Sequence, residues 1–125
     1  MFRVIIAGGR DFCDYALLEQ SMDRLLSNIE DNIVVVCGMA RGADSLGEQY
    51  AKARGFQVCY FPAEWDKYGN SAGYKRNEQM AQNADALVAF WDGQSRGTKH
   101  MINIANRNNL KVRVIRYGQD KLVKE

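Results

Sequence analysis

Three glycine-bearing segments carry residue types suited to holding an anion. They are Gly8-Gly9-Arg10, Gly38-Met39-Ala40-Arg41-Gly42-Ala43-Asp44 and Asp92-Gly93-Gln94-Ser95-Arg96-Gly97-Thr98; each follows an apolar run and precedes a segment with helical spacing. Glycine lets a backbone come close to a ligand, and the first N–H groups of a helix lack partners inside it, so such turns suit phosphate. Arg10, Arg41, Arg76, Arg96 and Lys99 lie in or beside these turns and supply positive charge. Phe12, Trp65, Tyr68, Tyr74 and Trp91 flank the same segments, and flat rings stack on nucleobases. Phosphate-binding turns and aromatics together point to a nucleotide.

Other chemistry is sparse. The run Gly93 to Gly97 with Thr98-Lys99 has the wrong length and order for the G-x-x-x-x-G-K-[ST] phosphate loop, and no G-x-G-x-x-G follows the first strand. Asp44, Glu64, Asp66, Glu78 and Asp92 are candidate carboxylates of the site, but spacing forces no two together, and Asp44 also fits a helix cap. His100 has no nucleophile beside it and reads as a surface or supporting residue. It is the single histidine, and Cys13, Cys37 and Cys59 form no Cys-x-x-Cys pair, so a Cys/His zinc site cannot be assembled. No metal is assigned and no cofactor is required; carboxylate-bound magnesium is left open. The three thiols are expected reduced, with Cys37 and Cys59 inside buried strands.

These residues need a frame. Five runs rich in β-branched and aromatic residues recur at Phe2 to Ala7, Ile33 to Cys37, Gln57 to Phe61, Ala86 to Phe90 and Val112 to Ile115. Their near-continuous apolarity predicts buried parallel strands. Between them lie four helical patterns: Leu18, Met22, Leu25 and Ile29; Leu46, Tyr50 and Ala51; Met80 and Ala84; Met101, Ile102 and Ala105. Asp14 and Ser71 are placed to open helices, Gly55 and Asn108-Asn109 to end them. Strict alternation predicts a single Rossmann-like α/β three-layer sandwich: a five-stranded parallel sheet with about four helices and right-handed crossovers. Pro62 to Asn70 is a connection longer than the roughly 2 to 6 residues usual for such loops, and it carries Trp65 and Tyr68, as a loop covering a site would.

Composition agrees with this frame. A chain of 125 residues with 46% hydrophobic and 26% charged side chains and one proline fits one compact domain, assigned to 1–117 with a polar tail at 118–125. No apolar stretch reaches the length of a membrane span and the N-terminal residues lack a signal-peptide layout, so the expectation is a cytoplasmic protein without a membrane partner. Net charge is +2 but uneven: residues 1–93 carry 9 basic and 13 acidic side chains, and 94–125 carry 8 and 2. A basic C-terminal quarter suits a solvated face, the wall of an anion site or a nucleic-acid surface.

Gly8-Gly9-Arg10-Asp11-Phe12, Gly38 to Asp44, Phe61-Pro62-Ala63-Glu64-Trp65, Ala72 to Met80 and Ser95-Arg96-Gly97-Thr98 occur in an order that resembles the YspA, YpsA-related branch of the SLOG superfamily. The resemblance spans nearly the whole chain. It implies a Rossmann-like domain that binds nucleotides or nucleotide-derived ligands. The superfamily includes the LOG phosphoribohydrolases, the DNA-processing protein of natural transformation, and sensors of ADP-ribose-type messengers. LOG enzymes pair an R-K-x-x-M element with P-G-G-x-G-T-x-x-E. Arg76, Asn77 and Met80 are similar to the first with Asn for Lys, Gly97-Thr98 to the second, and Met101 occupies the glutamate position.

Methionine can neither protonate a leaving group nor stabilise an oxocarbenium ion, so ligand binding ranks above hydrolysis. The expected ligand is a phosphate-bearing nucleotide derivative of the ADP-ribose or NAD type, sensed or sequestered. Gly8, Gly9, Gly42, Gly97 and Thr98 would supply close backbone and N–H donors, Arg10, Arg41 and Arg76 would neutralise phosphate, and Trp65 or Trp91 would stack. Gly38, Ala43, Asp44, Asn77 and Ser95 complete the expected site. The alternative is a LOG-type nucleoside-monophosphate phosphoribohydrolase, with Arg76, Asp92 and Glu64 as catalytic candidates. A nucleic-acid-binding module ranks third, and a homo-oligomer is compatible with the fold.

Overall fold

A computed structural model describes residues 1–118 of the chain. The polar tail expected from 118 onward therefore lies, beyond its first residue, outside the described residues. The elements are β1 (Phe2–Gly8), α1 (Tyr15–Leu26), β2 (Ile33–Cys37), α2 (Ala43–Arg54), β3 (Gln57–Tyr60), α3 (Trp65–Tyr68), α4 (Ala72–Gln82), β4 (Ala86–Trp91), α5 (Arg96–Arg107) and β5 (Lys111–Arg116). All five strands are parallel in the order β3-β2-β1-β4-β5.

The pleat sorts the core onto two faces. Val4, Ile6, Val35, Val88 and Phe90 join Leu18 and Met22 of α1 and Tyr50 and Ala51 of α2. Their sequence neighbours Ile5, Ala7, Val36, Leu87 and Ala89 join Met80 and Ala81 of α4 and Met101, Ile104 and Ala105 of α5 on the other face. Each large apolar side chain fully withdrawn from water here contributes roughly 1.5–3 kcal/mol. β1 and β4 are adjacent, yet β1 leads to a helix on one face and β4 to a helix on the other. Their carboxyl ends therefore diverge, which opens a crevice in sheets of this kind.

Two expectations change. The outer strands are edges: β3 and β5 are largely exposed, and Cys59 is exposed while Cys37 is buried. The long connection folds into the single turn α3 and a 3-10 turn over Gly69–Ser71, so a short helical piece adds to the four long helices.

The expected helix ends recur in the structure. The Asp14 carboxylate accepts from the Leu17 N–H at 3.0 Å, Gly55 closes α2 in the left-handed conformation at φ 74°, and Asn108 ends α5. Ser71 precedes α4 without capping it through its side chain; its hydroxyl donates to the Tyr68 carbonyl instead. Asp14→Ala removes the one side-chain cap of α1 and is expected to lower stability by about 1 kcal/mol, with Asp14→Asn restoring most of it, as read by chemical denaturation.

Candidate functional site

The turn after β1 is pinned from behind. Gly9 donates to the Phe90 carbonyl at 3.1 Å, while its own carbonyl accepts from Phe12 at 3.2 Å and from Ala43 at 3.1 Å. Phe12 is 3% exposed and wedged between Phe90 and Tyr117, with ring centroids 4.9 and 4.8 Å away. It thus anchors the turn and is not available to stack on a base. The Tyr117 hydroxyl donates to Asp11 Oδ1 at 2.7 Å and ties the end of β5 to the same turn.

The turn after β4 is built around Asp92. Its Oδ1 accepts from the N–H groups of Gln94 and Ser95, both at 2.8 Å, and these bonds hold the carboxyl below the usual carboxylate range. Ser95 Oγ caps α5 by accepting from Thr98 N at 3.4 Å and lies 3.1 Å from Thr98 Oγ1. The Trp91 indole N–H donates to the Ser95 carbonyl at 3.1 Å, and the Arg116 guanidinium lies 5.4 Å from the Trp91 ring centroid. The N–H groups of Arg96 and Gly97, in the first turn of α5, have no acceptor four residues back within the helix.

The turn after β2 meets α4. Arg76 donates through Nη1 to the Gly38 carbonyl and through Nε to Asn77 Oδ1 at 3.2 Å. Asp44, 6% exposed, accepts from Ala40 N at 3.2 Å through Oδ2. Both groups crowd Gly38: a Cβ there would lie 2.8 Å from Arg76 Nη1 and 2.8 Å from Asp44 Oδ2. Burial raises the Asp44 carboxyl above its ordinary value against the opposing pull of Ala40 N–H, Arg76 and Arg10. Burial also lowers the Arg76 guanidinium, which Asp44 partly offsets, and pushes the Cys37 thiol up to about 11.

These three turns surround a cleft of about 470 Å³. Gly8, Gly9, Arg10, Asp44, Trp65, Arg76, Asn77, Asp92, Ser95, Gly97 and Thr98 line it. Six residues of the expected binding and catalytic set lie off its wall. Arg41 and Glu64 are exposed elsewhere, Trp91 is engaged by Ser95 and Arg116, and Gly38, Gly42 and Ala43 stand behind the turns. The Ala43 N–H is already given to Gly9, so the start of α2 supports the β1 turn from below. Tyr74, 47% exposed, lines the cleft with Trp65, which is 52% exposed. Among the described residues no three His, Cys, Asp or Glu side chains gather into a group able to hold a metal ion, and no helix is long and apolar enough to cross a membrane.

A family model, the YspA, cpYpsA-related SLOG family, matches residues 2–68, more than half of the chain. The chain belongs to this SLOG family. The Gene 61 protein of Mycobacterium phage D29 is 34% identical over 118 residues, covering 90% of this chain and 94% of that protein. DNA processing protein A of Streptococcus pneumoniae superposes with a TM-score of 0.70 at 15% identity, over 98% of this chain and 56% of that one, so this chain spans little more than half its length. The structural-genomics target TM1055 gives 0.65 at 20% identity, over 90% of this chain and 72% of that one. At these identities both structures speak for the fold alone.

Within this SLOG cleft the glutamate position of the LOG pattern is filled by Met101, 1% exposed on the wall. The carboxylates on the wall are Asp11, Asp44 and Asp92 among the described residues. Asp11, Asn70 and Gly73 line the cleft without having been singled out for it. Gly73 stands one turn before Arg76 on the same face of α4, a helical spacing that carries the signal; Asn70 depends on how the long connection folds. His100 is half-buried against the site's rear, with Nδ1 3.1 Å from Asn77 Nδ2 and its ring 4.4 Å from the Tyr74 ring. The basic C-terminal quarter is spread over the outside: Arg96, Lys99 and Arg107 on α5, and Lys111, Arg113 and Arg116 on β5, are exposed. Lys121 and Lys124 lie outside the described residues.

Proposed function

We propose that this SLOG protein binds a phosphate-bearing nucleotide derivative in the cleft between the carboxyl ends of β1 and β4. The observation that carries it is the convergence of the Gly8-Gly9 turn, the Ser95-capped start of α5 and the half-buried Arg76 on one 470 Å³ cleft at the sheet's switch point. The free N–H group of Gly97 with Arg76 and Arg10 suits the phosphate. Trp65 and Tyr74, exposed on the same wall, suit the base. Asp44 and Asp92, with oxygens that only accept when ionised, suit ribose hydroxyls.

Native mass spectrometry and calorimetry with AMP, NAD and ADP-ribose test this reading. At least one is expected to be retained one-to-one and to be displaced by excess inorganic phosphate. If all three leave the protein empty, nucleotide binding is rejected.

Glycosidic-bond cleavage is the second reading, and one feature favours it despite Met101. The cleft's carboxylates have environments that push them apart, Asp44 upward by burial and Asp92 downward by two backbone N–H groups, the division an acid and an ionised stabiliser require. Free adenine released from AMP by the intact protein and not by Asp44→Asn supports it; AMP bound but unchanged rejects it.

A further inference from the structure

Asn77 is 7% exposed and sits between two partners that fix which way its amide points. The Arg76 Nε–H can only donate, so the Asn77 atom 3.2 Å from it is the carbonyl oxygen. The Gly97 carbonyl can only accept, so the atom 3.5 Å from it is the amide nitrogen. That nitrogen also lies 3.1 Å from His100 Nδ1, which must then be the unprotonated ring nitrogen, with the proton on Nε2. A protonated imidazole presents N–H at Nδ1, donor against donor. Turning the amide over to relieve this sets its NH2 against the Arg76 Nε–H and against nothing that accepts. The amide can satisfy neutral His100 and Arg76 together, and protonated His100 or Arg76 but not both.

We propose that His100 is a positioning residue: neutral and protonated at Nε2, it orients the Asn77 amide that accepts from the Arg76 Nε–H, and its protonation breaks that bond and leaves the guanidinium tethered to the Gly38 carbonyl alone. The device rests on the cleft reading for its use, since Arg76 is the half-buried cation there, but its geometry stands without any ligand.

The surroundings keep His100 neutral near neutral pH. Burial between α4 and α5 lowers its pKa from the ordinary 6.5, Arg107 on its own helix adds to this, and Glu78 on α4 opposes it. Tyr74 of α4 covers the ring at 4.4 Å, and Lys99 is its exposed neighbour on α5. Electrostatics alone would give the opposite effect at the cleft, because an imidazolium attracts an anion. Loss of Arg76 positioning on acidification is therefore a distinguishing sign.

Because His100 is the single histidine, its ring resonances are unambiguous in the 15N-labelled full chain. Long-range 1H–15N spectra of the ligand-free protein are followed from pH 8 to pH 5, alongside the Arg76 Nε–H resonance, assigned by its loss in Arg76→Lys. The expected result is an Nε2–H tautomer at pH 8, a His100 midpoint below 6.5, and an Arg76 Nε–H signal that moves toward the exposed arginines with the same midpoint. Acid slows arginine N–H exchange, so the signal stays visible throughout. His100→Asn, which presents an acceptor near the Nδ1 position and does not titrate, is expected to hold the Arg76 signal in place down to pH 5. An Nδ1–H tautomer, or an Arg76 signal that ignores the His100 titration, overturns the proposal. Neither outcome involves a nucleotide, so failure here is distinct from failure of the binding assay.

Discussion

Gly42→Ala is expected to destabilise the protein by about 3 kcal/mol, lowering Tm by about 10 °C, a far larger effect than an alanine at an ordinary surface glycine. Gly42 has φ 73° and ψ −124°, a region essentially closed to side chains. The space is closed too: the added methyl would overlap the Gly9 carbonyl and lie 2.6 Å from the Arg10 carbonyl carbon and 2.7 Å from its oxygen. The Gly9 carbonyl accepts from both Phe12 and Ala43, so pushing it aside loosens the β1 turn and the start of α2 together. Gly69→Ala is the control. Its φ of 58° and ψ of −133° are close to those of Gly42, but nothing lies within 4 Å of the added carbon, so backbone preference alone acts there, roughly 1–2 kcal/mol. Thermal unfolding of the two variants separates strain from collision. Equal shifts would mean that Gly42 does not serve as the close contact between the two turns.

The same pair of turns marks the limit of what could be read from residue types. β2 runs from Ile33 to Cys37 as expected, because a run of β-branched residues ended by glycine leaves no competing pattern. Strict β-α alternation also puts every strand's carboxyl end on one edge, so the glycine-rich turns were bound to share it. What the pattern omits is depth and order. Gln57-Val58-Cys59-Tyr60 looks like a strand but does not say that it is outermost, which is why Cys59 proved exposed. Trp65-Asp66-Lys67-Tyr68 is too short for a 3.6-residue period to register. Gly42 and Ala43 are anion-site residues by type, but their backbone is turned to Gly9, a fact of packing between α2 and the β1 turn. Phe12 likewise carries a ring suited to stacking and spends it in the core. His100 sits one turn after Gly97, but its meeting with Asn77 depends on α4 lying against α5, which no local spacing encodes.

Arg76→Ala is expected to weaken nucleotide binding at least tenfold, about 1.4 kcal/mol, while the fold survives, because the side chain is only half-buried and serves one carbonyl and one amide. Two arginines discriminate site from general charge. Arg41 is exposed and off the cleft wall, so Arg41→Ala should weaken binding much less than Arg76→Ala, because water and salt screen an exposed charge. Equal losses in both variants would assign the effect to overall charge, and no loss in Arg76→Ala would remove this residue from the ligand. A second consequence concerns Asp44. The guanidinium favours the ionised carboxylate, so its removal should carry the already raised Asp44 pKa higher, visible in the carboxyl 13C titration. A carboxyl raised in the fold stabilises below its unfolded value of 3.8 and loses that contribution as pH rises through the folded value. Arg76→Ala should therefore lose relatively more stability toward neutral pH than the parent, and Asp44→Asn added to it should abolish that difference. Affinity loss without the Asp44 shift would mean that Arg76 acts on the ligand alone; both together would mean that the ligand's phosphate and Asp44 share one half-buried cation.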